Sequence, residues 1–337
     1  MSWPLLALAC AAVALVSWAV TWAVLCGLVR FSVYDRPNPR SSHAHAKPRG
    51  GGLALVPVAL LAWIAAAAWL GAAPSGFWLV LGGAAGLAVI SWFDDMKGLP
   101  IGLRLGAQAL AVGIGLASMA GGGAVFQGLL PLPIDRLIAA LLWLWFVNLF
   151  NFMDGIDGLS GVETISLGLG LVLVGWLGGA AGAAIALPAL LAAATLGFLV
   201  WNWAPAKLFL GDVGSVPLGY LLGWLLLSAA MRGEWAAAAI LPLYYLADAT
   251  ITLVKRGARG ARVWRAHREH FYHRAVQGGA SHGRVATQVL ACNAALVALA
   301  GVATSGYAWP ALGAGALAVV LLLATLERRA GTASRGT

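Results

Sequence analysis

Four polar clusters interrupt an otherwise apolar chain, and each carries residue types suited to phosphate or metal chemistry. In SWFDDMKGLPIGLRLGAQ, positions 91–108, the adjacent carboxylates Asp94 and Asp95 end an apolar run and precede Lys97, Arg104 and Gln108. Adjacent carboxylates repel, so a neighbouring cation would stabilise the pair and could make one of them a base. A polar helix end with an Asp turn is the plain alternative. In NLFNFMDGIDGLSG, positions 148–161, Asn148, Asn151 and Asp154 recur every three residues and share a helical face before Gly155 and Gly158 release the chain. Such a face suits magnesium, which takes a few protein oxygens and completes its octahedron with phosphates and waters. The glycine turn could also offer backbone N–H groups to a nucleobase or phosphate.

The third cluster, WNWAPAKLFLGDVGSVPLGY at 201–220, sets Asp212 between Gly211 and Gly214 at the entrance to a helix. The glycines would permit close approach of a ligand, and the helix N-terminus favours an anion. Phe209 offers either a stacking face or ordinary packing at a membrane boundary. The fourth, 255–284, holds eight Lys/Arg and His267, His270, His273 and His282. Zinc would want Cys or carboxylate partners at i, i+4 spacing, which are missing. Diphosphate suits the charge better, because arginine forks bind phosphate oxygens in pairs; a basic loop lying on anionic lipid is the alternative. The loop at 34–52 adds His43, His45, Lys47 and Arg49 before a triple glycine, as a ligand site or as a charge that sets membrane orientation.

The elements that must position these clusters are helices in a bilayer. Of 337 residues, 61% are hydrophobic and 10% charged, against about 25% charged in soluble domains, which excludes a soluble protein. Apolar segments near 4–29, 51–71, 77–93, 104–120, 135–152, 159–177, 180–201, 214–230, 235–254, 285–305 and 308–326 have bilayer-crossing length. The fold class expected is therefore an all-α polytopic membrane protein of about eleven transmembrane helices, one integral domain over 1–337. Sorting the loops alternately puts 19 of 21 Lys/Arg on one side, leaving only Arg136 and Arg232 on the other. The positive-inside rule then gives an N-out, C-in topology. The net charge of +9 thus reflects orientation and not nucleic-acid binding. The first segment lacks a basic n-region and a small-residue cleavage site, and is expected to be retained. Cys10, Cys26 and Cys292 lie in apolar runs without metal or disulfide spacing. The same sorting leaves only Asp135 and Glu234, of twelve acids, on the outer side. Acids kept in so apolar a chain mark function, here on the cytoplasmic face. A secondary transporter of an anionic solute is the reading from another class, but it would place acids at broken helices near the midplane and often shows repeats.

Taken in order, the loop ending PRGGG, the DD pair with GLP, NxxNxxDGIDGL, FLGDVGS and the His/Arg-rich last loop resemble the polyprenyl-phosphate N-acetylhexosamine-1-phosphate transferases over about 35–284. These integral membrane enzymes have ten or eleven helices and begin cell-envelope polymer synthesis. The resemblance implies magnesium, with manganese as a substitute, on Asp212 and Asn151, and Asp157 and Gly155 facing a uracil stacked on Phe209. It implies Asp94 and Asp95 handling the lipid phosphate, Asp154 as a required acid, Lys47 near the nucleotide, and Arg268, His270 and His273 near sugar and diphosphate. The implied partners are a UDP-N-acetylhexosamine, undecaprenyl phosphate and membrane lipid, in a bacterial inner membrane, with a homodimer allowed. The version AHREHFYHRAVQGGASHGRV is closer to the O-antigen-initiating branch than to the peptidoglycan branch, which implies a sugar without a peptide, 6-deoxy forms included.

Overall fold

The computed structural model describes residues 2–35, 45–119, 121–262 and 267–333, with side chains to 330; His43 lies outside them. The helices are α1 Trp3–Arg30, α2 Gly52–Leu70, α3 Phe77–Lys97, α4 Ile101–Ser118, α5 Leu132–Phe152, α6 Leu159–Leu177, α7 Ala183–Asn202, α8 Asp212–Ala229, α9 Trp235–Ile240, α10 Leu243–Ala258, α11 Phe271–Gln277, α12 His282–Thr304 and α13 Ala308–Ala333. Two short antiparallel strands, β1 Tyr34–Asp35 and β2 Lys47–Pro48, pair Tyr34 with Pro48 and Asp35 with Lys47.

Among the described residues, ten helical stretches are long and apolar enough to cross a membrane, α8 and α9 counting as one. The eleventh segment, expected at 235–254, is not a single helix. The chain kinks at Gly233, whose φ of 102° is open to glycine at little cost, and continues as α9. It breaks again at Leu241-Pro242, where proline lacks the amide needed to continue the ladder, before α10 completes the return. Leu241 packs at Gly170 of α6, and Ile240 and Leu243 lie at Gly315 of α13, so the break is deep in the bundle.

The central helix is α8, buried almost all round, with α6 and α7 next most enclosed. Several polar side chains tie this core together, since an unmade hydrogen bond there costs several kcal/mol, although Thr21 Oγ1, Glu163 Oε1 and Trp224 Nε1 have no partner. Trp143 Nε1 donates to the Tyr220 carbonyl at 2.9 Å while the two rings stack at 4.9 Å. Trp63 Nε1 donates to the Leu187 carbonyl at 2.9 Å, and Ser17 Oγ to the Ala194 carbonyl at 2.5 Å, tying α2 and α1 to α7. Asn293 Nδ2 of α12 donates to Glu163 Oε2 of α6 at 2.7 Å.

The loops sorted together on charge do gather at one end. Arg136 reaches the carbonyls of Met119, Gly122 and Gly123, and Thr304 Oγ1 donates to Glu234, both at the opposite end. At the site end, Gly52 and Gly214 press α2 against α8 backbone to backbone; a Cβ at Gly52 would run into Gly214. This closeness brings the PRGGG loop onto the acids described next.

Candidate active site at the polar end of the bundle

Asp94 and Asp95 end α3, and they face different partners. Asp95 accepts the backbone N–H groups of Asp212 at 3.2 Å and Val213 at 3.0 Å, so the anion on the N-terminus of α8 is one of the chain's own carboxylates. Of the glycines flanking Asp212, Gly214 makes room for Leu210 and Gly52, and Gly211 lies against the Asp95 carboxylate and the Arg49 side chain. Asp94 accepts the Leu99 N–H at 2.6 Å and pairs with Arg104 Nη1 at 2.7 Å.

The cations beside the DD pair are Arg104, at Asp94, and Arg49, at Asp95, and not Lys97, whose ammonium lies over the Phe93 ring. Arg49 Nη2 sits 2.6 Å from Asp95 Oδ1 and 2.8 Å from Asp212 Oδ1, with Arg104 Nη1 3.9 Å from Asp212 Oδ2. Burial works against the Arg49 charge, yet Asp212 and Asp95 hold its pKa above the ordinary arginine value. Asn151 donates from Nδ2 to Asp212 Oδ2 at 3.5 Å and accepts from Ser215 Oγ at 2.6 Å, and Asn148 donates to Gln108 Oε1 at 2.8 Å. Asp154, in the turn after α5, has its carboxyl pushed up to about 7 by burial, against the pull of the Ser160 hydroxyl.

A second group lies around Asp157. Its Oδ2 accepts the Ala206 N–H at 2.9 Å and lies 3.5 Å from Lys47 Nζ, while Oδ1 faces His282 Nδ1 at 3.3 Å. Burial alone would raise its pKa; His282, the Ala206 amide and Lys47 hold it below the ordinary value. Lys47 also stands over the half-buried Phe209 ring at 5.2 Å. Two backbone N–H groups of the glycine turn are taken by the chain itself, Gly158 by Asn202 Oδ1 and Asp157 by His282 Nδ1.

The last loop brings its histidines to the same end. Asp248 of α10, fully buried, accepts the N–H groups of Phe271 at 3.0 Å and Tyr272 at 3.3 Å and lies 3.2 Å from His270 Nδ1. With the proton on Nδ1 the other ring nitrogen is left for a partner. Tyr272 donates to the Phe152 carbonyl at 2.9 Å, and Gly155 is small because a Cβ there would strike the Tyr272 hydroxyl and the His273 ring. Burial, with His270 and Arg268 adjoining, holds His273 well below its usual pKa, and burial holds His267 down to about 4. These two rings are neutral near pH 7 and offer hydrogen bonds; positive charge here comes from Arg268, whose buried Nε has no partner.

An apolar cavity of about 550 Å³ opens between α3, α4, α5 and α10, walled by Leu87, Ile90, Leu105, Leu141, Trp145 and Leu253. Its polar end is Asp94, Arg104, Gln108, Asn148, Asn151 and Asp212. A long isoprenoid tail with a charged head matches that division of chemistry.

Among the described residues no three His, Cys, Asp or Glu side chains form a closed metal cage. Magnesium does not require one, because one or two carboxylates plus substrate phosphates suffice. Asp212 and Asp95 turn oxygens toward one shared cationic nitrogen, which is the donor set such an ion uses, so the residues fit. The structure thus brings Asp94, Asp95, Asn151 and Asp212, from three separate stretches of sequence, into one cluster and Lys47, Asp157 and Phe209 into another. Sequence reasoning missed the placement of Arg49, Asp248 and His282; only Asp248 carried a signal, as an acid in an apolar segment.

Residues 77–230 match the model of glycosyl transferase family 4. The chain is 27% identical over 266 residues, 75% of it and 72% of the relative, to a Bacillus subtilis (strain 168) protein described as a probable undecaprenyl-phosphate N-acetylglucosaminyl 1-phosphate transferase. It is 29% identical over 309 residues, 80% of it and 75% of the relative, to the decaprenyl-phosphate N-acetylglucosaminephosphotransferase of Mycolicibacterium smegmatis. To a Streptococcus thermophilus phospho-N-acetylmuramoyl-pentapeptide-transferase it is 32% identical over 176 residues, 50% of it and 49% of the relative.

Proposed function

We propose that the chain, whose residues 77–230 match glycosyl transferase family 4, moves an N-acetylhexosamine-1-phosphate from a UDP-sugar onto undecaprenyl phosphate. The product would be a lipid-linked diphosphosugar that initiates O-antigen or another cell-envelope polysaccharide, with UMP released on the cytoplasmic side of the inner membrane. The observation that carries this reading is the meeting of Asp94, Arg104, Asn151 and Asp212 at the polar end of an apolar cavity. The sugar is read as a peptide-free N-acetylhexosamine, 6-deoxy forms included.

In this reading the isoprenoid lies in the cavity, with Arg104 and the Gln108–Asn148 pair at its phosphate. An oxygen of that phosphate attacks the β-phosphorus of the donor, and the bond from the β-phosphorus to the bridging oxygen of UMP breaks. The attacking phosphate is already largely ionised near pH 7, so no side chain has to remove a proton first. Magnesium or manganese, held by Asp212 with Asn151 beside it, would neutralise charge on the diphosphate. The chain's own part is positioning and electrostatics. Arg268, His270 and the neutral His273 hold diphosphate and sugar. Asp157 and Gly155 border the uracil, Lys47 lies beside the nucleotide, and Phe209 stacks on the base. Asp154, its carboxyl pushed up to about 7 by burial, stands near Asp212, Arg49 and Asp95.

Purified protein given undecaprenyl phosphate should release UMP from a UDP-N-acetylhexosamine. Donor-dependent release that ignores the lipid would count against the reading. Phe209→Ala should weaken uridine-nucleotide binding by about 1–3 kcal/mol through loss of the stacking face, with lipid binding unchanged. Titrating UDP-sugar into the variant checks this; an unaltered affinity would return Phe209 to packing.

A further inference from the structure

Arg49 is delivered to one point by its backbone. Phe209 N–H donates to the Pro48 carbonyl at 2.9 Å, and the Phe209 carbonyl accepts Gly50 N–H at 3.1 Å and Gly51 N–H at 2.8 Å, so the residues on both sides of Arg49 are fixed to the strand that leads into Asp212. From there a single nitrogen, Nη2, lies between oxygens of two carboxylates from different helices, Asp95 on α3 and Asp212 on α8. One charged atom shared by two carboxylates is the arrangement of a bound cation. The two carboxylates differ in what else supports them. Asp95, 3% exposed, keeps two backbone N–H donors if Arg49 departs. Asp212, 19% exposed, keeps only the Asn151 amide at 3.5 Å and Arg104 at 3.9 Å. The Arg49 side chain itself is one-third exposed, so it can be reached from solvent.

We infer that Arg49 is a resident counter-cation of the Asp95–Asp212 pair, which competes with the divalent cation for these oxygens and, once displaced, is handed to the donor diphosphate. This rests on the proposed metal role of Asp212. A divalent ion carries twice the charge of a guanidinium and can share the same oxygens, whereas the guanidinium fork matches paired phosphate oxygens, which a carboxylate pair on two helices does not offer. The exchange would keep the acids neutralised before the donor arrives and bring a phosphate-binding fork into play when it does. Arg49 is in this sense a positioning residue that couples metal occupancy to donor capture.

The test is Mn2+ titration of the purified full-length protein in detergent, with free Mn2+ read from its electron paramagnetic resonance signal. Arg49→Gln should bind Mn2+ more tightly than wild type, by about 5- to 150-fold, the usual range of coupling between two sites, while turning over more slowly. Equal or weaker Mn2+ binding overturns the inference. Because Arg49→Gln could fold poorly, wild type supplies a second reading. Saturating Mn2+ should speed phenylglyoxal labelling of Arg49, followed by peptide mass spectrometry; unchanged or slower labelling counts against displacement. Asp212→Asn separates the two levels. If it binds Mn2+ as wild type does, the metal reading of Asp212 fails and the competition with it; if it loses Mn2+ while Arg49→Gln is unaltered, only the competition fails.

Discussion

Asp212→Asn is expected to lower turnover by about 10²–10³-fold or more, the cost of losing one pre-placed electrostatic group at a reacting phosphate, while the protein stays folded in detergent. Asp212 meets Arg49, Arg104 and Asn151 at the site, and its own contribution to packing is small. As an acid in the first turn of α8 it is worth about 0.3–1 kcal/mol to the helix, which an asparagine partly keeps. Asp95→Asn is the instructive contrast. Asp95 accepts two N–H groups of α8 and joins that helix to α3, so its loss should reduce thermal stability together with activity. Melting curves beside UMP release would separate the two behaviours. Undiminished wild-type turnover in excess chelator would sink the role given to Asp212.

How much of this was legible beforehand follows from the range of each interaction. Helix positions were readable because apolar length is local, and Lys and Arg grouped the loops that supply the site. The break at Leu241-Pro242 hid within a run whose composition stays apolar, although Gly233 and Pro242 flank it. Within the site, acids were conspicuous because they are expensive in such a chain. Of their cations, Arg104 stood in the same stretch as Asp94, whereas Arg49 did not stand out among the many arginines of these loops. Arg49 and Asp212 are 163 residues apart, and Asp95 meets the α8 amides across 117. Only the assembled bundle selects Arg49 over Lys97. Asp248 shows the same limit: its partners Phe271 and Tyr272 lie 23 and 24 residues on, inside the basic loop, so no helical spacing links them.

The basic loop should show a large loss of turnover for Arg268→Lys and His270→Gln and little for Arg259→Gln or Arg262→Gln. The two readings of this loop, lipid adhesion and substrate binding, part at this point. Adhesion to anionic lipid follows total charge, so Arg268→Lys would be silent and every neutralised arginine would count alike. The geometry favours the other ranking. Arg259 is 64% exposed and pairs with Glu269, which Arg256 also holds, so its charge is spent beside the loop and not in the site. Arg268 instead has a buried, unpartnered Nε, and His270 is oriented by Asp248 beneath it. A lysine cannot reproduce the fork, and a glutamine in place of His270 offers different donors at a different reach. Loss of one hydrogen bond to a charged group costs about 1.5–3 kcal/mol, roughly 10- to 150-fold in rate if it is made in the transition state. The segment should remain docked in His270→Gln, because the Phe271 and Tyr272 amides still reach Asp248 and Tyr272 still reaches the Phe152 carbonyl. UMP release measured at saturating and limiting UDP-sugar would read this ranking. Activity falling in proportion to charge removed anywhere in 255–284 would remove Arg268 and His270 from the site and leave the loop as a membrane anchor.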